Sequence, residues 1–192
     1  MTGIILCGGQ SIRMGSDKGL LFSAIRKKRW AEIMKERLSQ ISIHSVLSIN
    51  LGQHEHYLPY FEENDLVVDN PAVAIHGPLL GLLSVHLKYP DQDLMAVACD
   101  MINLDKEVLI KLFNSFNSSQ LDAIAFKGER IEPLCAIYSS IGLAKIHTAC
   151  RAGKLRKNSM MHVLAELSAA YIPIPEEWKS YFKNFNSTEE LN

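Results

Sequence analysis

Residues 4–18 constrain this chain more than any other stretch. An apolar run, Ile4-Ile5-Leu6, breaks at Cys7-Gly8-Gly9 and continues as Gln10-Ser11-Ile12-Arg13-Met14-Gly15-Ser16-Asp17-Lys18. A short apolar run that ends in glycine reads as a buried strand. Gly8 and Gly9 let the backbone turn sharply, since glycine takes positive φ without steric cost. A loop poor in side chains exposes its N–H groups, and several pointing inward form an anion nest. Arg13 and Lys18 bring positive charge to the same loop, which a bland glycine turn does not need. The stretch therefore reads as a strand running into a phosphate-binding loop. Two familiar forms of such a loop are excluded by spacing. A P-loop has four residues between its first glycine and Gly-Lys-Ser/Thr, whereas five residues separate Gly9 from Gly15 and Ser16-Asp17 precedes the lysine. The dinucleotide pattern Gly-x-Gly-x-x-Gly is also missing.

Bulk properties narrow the class. A length of 192 residues with 47% hydrophobic and 21% charged residues fits one soluble globular domain over 1–192. A net charge of −1 argues against a nucleic-acid surface. No apolar run approaches the ~20 residues of a membrane span, and the first strand begins too early for a signal peptide. Cys7, Cys99, Cys135 and Cys150 lack Cys-x-x-Cys spacing. They read as free thiols of a cytoplasmic protein rather than disulfides or zinc ligands.

The periodicity predicts strands over 2–6, 43–49, 66–68, 94–98, 123–126, 134–138 and 170–174. It predicts helices over 28–38, 79–87, 106–116 and 159–168, and one more ending near Ala152. Strand–helix alternation predicts an α/β fold, a mostly parallel sheet with helices on both faces. In open sheets of this kind ligands bind beyond the carboxyl ends of the strands. Here those ends carry Gly8-Gly9, Asn50, Asp69 and Asp100, so four polar positions are expected along one edge.

Each of these residues has a functional and a bland reading. Asp100 suits a magnesium ligand, because magnesium uses one or two carboxylates together with phosphate oxygens. The bland reading is a helix N-cap, for which Asp105 competes. Asp69 suits ribose, base or metal support, against an Asx turn with Asn70-Pro71. Asn50 offers a donor and an acceptor to a base edge or ribose, against a strand-ending turn. Gly77, Pro78 and Gly81 open a helix whose N-terminus faces the site, unless Gly81 serves only close helix–sheet packing. Lys154, Arg156 and Lys157 form a basic run that reads more simply as a solvated helix flank than as a phosphate contact. No side chain suggests a covalent nucleophile.

The pattern Leu6-Cys7-Gly8-Gly9-x-Ser11-x-Arg13-Met14-Gly15-x-Asp17-Lys18-Gly19-Leu20-Leu21 closely resembles the signature of the molybdenum cofactor guanylyltransferases, within the nucleotidyltransferase superfamily. Further matches follow in order: Asp69, Gly77-Pro78-Leu79-Leu80-Gly81, Ala98-Cys99-Asp100-Met101, Glu132-Pro133-Leu134 and the closing stretch from Phe182 to Leu191. The resemblance implies a three-layer Rossmann-like fold of the nucleotide-diphospho-sugar transferase type. It implies transfer of GMP from Mg-GTP to the terminal phosphate of molybdopterin, with release of pyrophosphate. Leu6, Cys7, Gly8 and Gly9 would hold GTP through the main chain, and Lys18, Asn50, Asp69 and Asp100 would contact the nucleotide. Asp100 would bind Mg2+, and Arg13 and Lys18 would neutralise phosphate charge beside it in catalysis. Transient contacts with cofactor-delivery proteins or molybdoenzymes would follow from the same role.

The chain departs from the usual family form at Cys7 (alanine elsewhere), at Ile102 (proline elsewhere), at Gly52 and over 22–29, where the usual turn is replaced by a basic stretch. These departures leave open a related enzyme that uses CTP or another acceptor, and a GTP-binding homologue without catalysis.

Overall fold

The computed structural model describes residues 1–8 and 17–186. Gly9 and Arg13 of the predicted loop, and residues 187–191 of the closing stretch, lie outside the described residues. In chain order the elements are β1 (Thr2–Leu6), β2 (Phe22–Ser23), β3 (Lys28–Arg29), α1 (Trp30–Ser39), β4 (Ser45–Ile49), α2 (His54–Tyr57), β5 (Leu66–Val68), α3 (Pro78–Lys88), β6 (Leu94–Ala98), α4 (Lys106–Asn117), β7 (Ala123–Lys127), β8 (Ile131–Tyr138), α5 (Ser140–Arg151), α6 (Met160–Glu166) and β9 (Ala169–Pro173).

Seven strands form one sheet in the order β5-β4-β1-β6-β8-β7-β9. All run the same way except β8, which is antiparallel to β6 and β7. Successive side chains of a strand point to opposite faces, and both faces here are covered. Ile5, Leu47 and Val97 pack with Met34 and Leu38 of α1 and Leu109 and Leu112 of α4. Ile4, Val46 and Ala96 pack with Leu79 and Leu82 of α3, Leu143 of α5 and Val163 of α6. The result is the three-layer α/β/α sandwich expected from the alternation. Truncating a buried strand residue such as Ile4 to alanine would cost about 2–5 kcal/mol.

The expected elements differ from the observed ones mostly at their ends. The helix predicted from Lys28 starts at Trp30, because Lys28 and Arg29 pair with Ser23 and Phe22 in a small hairpin. Lys27 takes a positive φ of 53° in its turn. The strand predicted over 134–138 begins at Ile131, its extra residues pairing with Phe126 and Lys127 past a bulge. Cys7, Cys99, Cys135 and Cys150 are all free, as read from their spacing.

Two features of this topology place the site. Strands β4 and β5 lie to one side of β1 and β6 to the other, so the strand order reverses between β1 and β6. A crevice opens at such a reversal, beyond the carboxyl ends of the strands. Because β8 is antiparallel, its amino end, with Glu132, reaches that same edge.

Candidate active site

A cleft of about 290 Å³ opens at the reversal, lined on one side by Leu6, Cys7 and Gly8 and on the other by Ala98, Cys99 and Asp100. Lys18, Pro78, Met101, Glu132, Pro133, Leu134 and Asn184 complete its wall. The sheet edge thus collects residues that are widely spaced in the chain.

The strand-end backbone is less open than a nest requires. The N–H groups of Cys7 and Gly8 both donate to the Ser48 carbonyl, at 3.0 Å each. The Leu6 carbonyl accepts from the Cys99 amide at 3.2 Å. The amides of Cys7 and Gly8 are therefore engaged within the sheet edge. Gly8 does not take a positive φ; among the described residues the glycines that do are Gly77 and Gly153.

The two readings of each strand-end residue now separate. Asp105, not Asp100, caps α4, its Oδ1 accepting from the Glu107 amide at 3.0 Å. Asp100 is left for the cleft, where its Oδ2 accepts from Lys18 Nζ at 2.9 Å and no described residue bonds to Oδ1. Asn70, not Asp69, makes the Asx turn, its Oδ1 accepting from the Ala72 amide at 2.9 Å. Asp69 stands with its Oδ2 toward Gly8, and its buried Oδ1 has no hydrogen-bond partner among the described residues. Burial pushes the Asp69 carboxyl up to about 6. Asn50 ends β4 and caps the short 3-10 turn that follows, in a capping box with Gln53 that is the bland strand-ending reading of this residue. Pro78 opens α3 at the cleft, while a side chain on Gly81 would collide with Ser48 on β4. Gly81 therefore lets α3 lie close on the sheet.

Lys18 is the best-held cation of the site. It donates to Asp100 Oδ2 and to Asn186 Oδ1, both at 2.9 Å. An ammonium has three N–H donors, so one remains for a ligand. The Asn184–Asn186 segment is tied down by the Phe185 amide, which donates to the Asp100 carbonyl at 3.1 Å. The Phe185 ring packs edge-on against buried Trp30.

Three residues here were given no role by the sequence reading. Gln53 bonds to Cys7, Asp17 and Asn50; Asn50-x-x-Gln53 is a capping-box spacing that marks it in the sequence. Tyr57 is fully buried and donates to Asp17. Glu132 faces the cleft half-buried, and burial raises its carboxyl above the usual range. Only the antiparallel direction of β8 brings it there, which no local pattern announces. The basic residues Lys154, Arg156 and Lys157 follow α5 and do not line the cleft.

Among the described residues no group of three or more His, Cys, Asp or Glu side chains converges as a metal site. One carboxylate with a free oxygen, beside space for phosphate oxygens, is nevertheless a donor set that suits magnesium. Asp100 meets that description.

Residues 3–170 match the model of the MobA-like NTP transferase domain. The chain is 32% identical over 202 residues to a protein of Peptoclostridium acidaminophilum named "Probable molybdenum cofactor guanylyltransferase", covering 99% of this chain and 86% of that protein. It is 24% identical over 189 residues to the molybdenum cofactor guanylyltransferase of Campylobacter jejuni, covering 97% and 91%. Among solved structures, molybdopterin-guanine dinucleotide biosynthesis protein A from Archaeoglobus fulgidus superposes with a TM-score of 0.79 at 22% identity, covering 100% of this chain and 95% of that one. A 4-diphosphocytidyl-2C-methyl-D-erythritol synthase from Anaerococcus prevotii shares the fold at a TM-score of 0.70 and 10% identity, covering 99% and 92%.

Proposed function

The chain belongs to the MobA-like NTP transferase family, and from that premise we propose that it is a molybdenum cofactor guanylyltransferase acting as one domain over 1–192. It transfers GMP from Mg-GTP to the terminal phosphate of molybdopterin and releases pyrophosphate. The observation that carries this reading is the Lys18–Asp100 pair at the mouth of the β1/β6 cleft, each partner with bonding capacity left over.

The chemistry asked of the protein is positioning and charge neutralisation. An oxygen of the acceptor phosphate attacks the α-phosphorus of GTP in line. The bond from that phosphorus to the bridging oxygen breaks, and pyrophosphate leaves with the electron pair. Lys18 directs its remaining N–H at a phosphate oxygen and neutralises charge as the bond breaks. Asp69 accepts from N–H or O–H donors of the base or ribose, which gives its orphaned oxygen a partner. The Asn50 amide lies on the same edge for a second polar contact. Arg13 and Gly9 belong to the phosphate loop in this reading. Magnesium, held by Asp100, supplies Lewis-acid neutralisation of the phosphates.

No helix of the described residues is long and apolar enough to cross a membrane. We take the enzyme to work in the cytoplasm, with GTP and molybdopterin as substrates and molybdoenzyme-side proteins as transient contacts. The test is magnesium-dependent pyrophosphate release from GTP, beside CTP and ATP, with and without molybdopterin. Release that requires both GTP and molybdopterin supports the proposal. Release with CTP instead moves the enzyme to a cytidylyl reaction, and GTP binding without release under any acceptor refutes it.

A further inference from the structure

We propose that Gln53 and Tyr57 are positioning residues that aim Lys18 at the nucleotide by holding the carboxylate of Asp17. The proposal rests on the function proposed above. Lys18 directly follows Asp17. A carboxylate left free beside that ammonium would compete with phosphate for it. Asp17 instead turns inward, where three donors meet it. Its Oδ1 accepts from the Tyr57 hydroxyl at 2.8 Å and the Gly19 amide at 3.0 Å, and its Oδ2 from Gln53 Nε2 at 2.6 Å. With its carboxylate so occupied, the Lys18 ammonium lies on Asp100 instead.

What separates this from ordinary burial of a polar group is where the donors are anchored. Gln53 Nε2 also donates to the Cys7 carbonyl at 3.1 Å, and Gln53 Oε1 accepts from the Asn50 amide at 2.8 Å. One side chain, 9% exposed, therefore ties the ends of β1 and β4 to the residue before Lys18. Tyr57 is fully buried and stacks on Phe61 with ring centroids 5.6 Å apart. Its hydroxyl also lies against Gly19, where any added Cβ would collide with it. The backbone on both sides of Lys18 is thus seated on the same buried pair. Burial first, and then the neighbouring Cys7 and Asp17, push the Tyr57 phenol well up, so it stays protonated and only donates to the carboxylate.

The test is a double-mutant cycle in the full chain, with Tyr57→Phe, Lys18→Ala and their combination. It reads acceptor-dependent pyrophosphate release and, separately, Mg-GTP affinity by titration. A 1 Å misplacement of a positioned group costs up to about 10²-fold in rate, and losing one of the three donors to Asp17 should cost less, about tenfold. Tyr57→Phe is expected to lower kcat by about that factor with the acceptor KM within twofold. In the Lys18→Ala background it should cost under twofold, because nothing is left to aim. Equal losses in both backgrounds, or no loss in either, overturn the proposal. If the unmodified chain releases no pyrophosphate, the functional reading falls, and the cycle is read on Mg-GTP affinity alone. Non-additivity there sustains the positioning role and additivity ends it. Gln53→Ala takes the place of Tyr57→Phe should that variant fail to fold.

Discussion

Two lysine–aspartate pairs sit at opposite edges of the same sheet, and they are built for different ends. Lys145 donates to both oxygens of Asp122 at 2.8 Å, and the Ser168 amide adds a third bond at 3.1 Å. That pair stitches the start of β7 to α5 and to the approach to β9. Lys18 reaches one oxygen of Asp100 at 2.9 Å and shares itself with Asn186. Both oxygens of the first carboxylate are bonded. The second keeps an oxygen in reserve at a cleft. Distance alone does not distinguish them, nor does acid burial, with side chains 11% exposed at Asp122 and 16% at Asp100. Unspent bonding capacity does, and a site for a highly charged ligand needs it.

The sharpest break of this comparison is to remove each lysine. Lys18→Ala should lower pyrophosphate release on the order of 10²–10³, the scale for losing a preorganised charge at the transition state. Lys145→Ala should leave turnover within twofold. Its side chain is 58% exposed, so its loss should cost about 1 kcal/mol or less of stability. Steady-state kinetics and urea melts on the two variants decide it. A Lys18→Ala loss under tenfold would take Lys18 out of the reaction.

Next come the acids. Asp100→Asn should abolish most activity and blunt the magnesium dependence together, measured as rate against magnesium concentration. Asp122→Ala should keep activity and lose about 1 kcal/mol, since Ser168 is exposed and water can serve its amide in place of the lost acceptor. Burial alone would raise the Asp122 carboxyl, but the Lys145 bond and the Ser168 amide outweigh it and hold it below the usual range. A lowered carboxyl stabilises the fold above its unfolded pKa near ~3.9. That contribution fades as pH falls through the lowered value. The gap between Asp122→Ala and the unmodified chain should therefore be full at pH 7 and close at acid pH. A gap that does not change with pH would mean that the charge contributes nothing there.

How much of this was legible beforehand follows from what is local. The strands, the mixed layers and the polar strand ends at Gly8, Asn50, Asp69 and Asp100 follow from period and topology rules, and the sheet bears out that arrangement. The Asp100–Asp105 and Asp69–Asn70 ambiguities could not be settled in the sequence. Each depends on which of two neighbouring side chains happens to reach an amide. Helix α1 was expected two residues early, because Lys28 and Arg29 fit a helix locally and are taken by hairpin pairing. Glu132 was invisible as a cleft residue, since the reversal of β8 is a tertiary fact. Gln53 and Tyr57 were missed for a like reason. Their partner Asp17 lies 36 and 40 residues away in the chain.

Asp69 extends the comparison past both pairs and carries the smallest expected effect. It is a half-buried carboxylate with an oxygen that no described residue serves, raised to about 6 by burial. The sign is opposite to that of Asp122. A raised carboxyl binds its proton more tightly in the fold than in the unfolded chain, so stability falls as pH climbs from about 4 through 6. The full penalty remains above that window. Asp69→Asn lacks the charge, so without nucleotide it should gain on the unmodified chain between pH 4.5 and 7 in parallel urea melts. Nucleotide should reverse the ranking. Donors from a base or ribose satisfy the ionised acid, so GTP affinity of the unmodified chain should rise as pH passes 6. The variant should bind several-fold more weakly at pH 7, with a flat profile. Parallel melts together with an unchanged GTP titration would make Asp69 a tolerated burial rather than an acceptor kept in reserve. Unspent bonding capacity would then mark the ligand site only where, as at Asp100, a cation already shares the group.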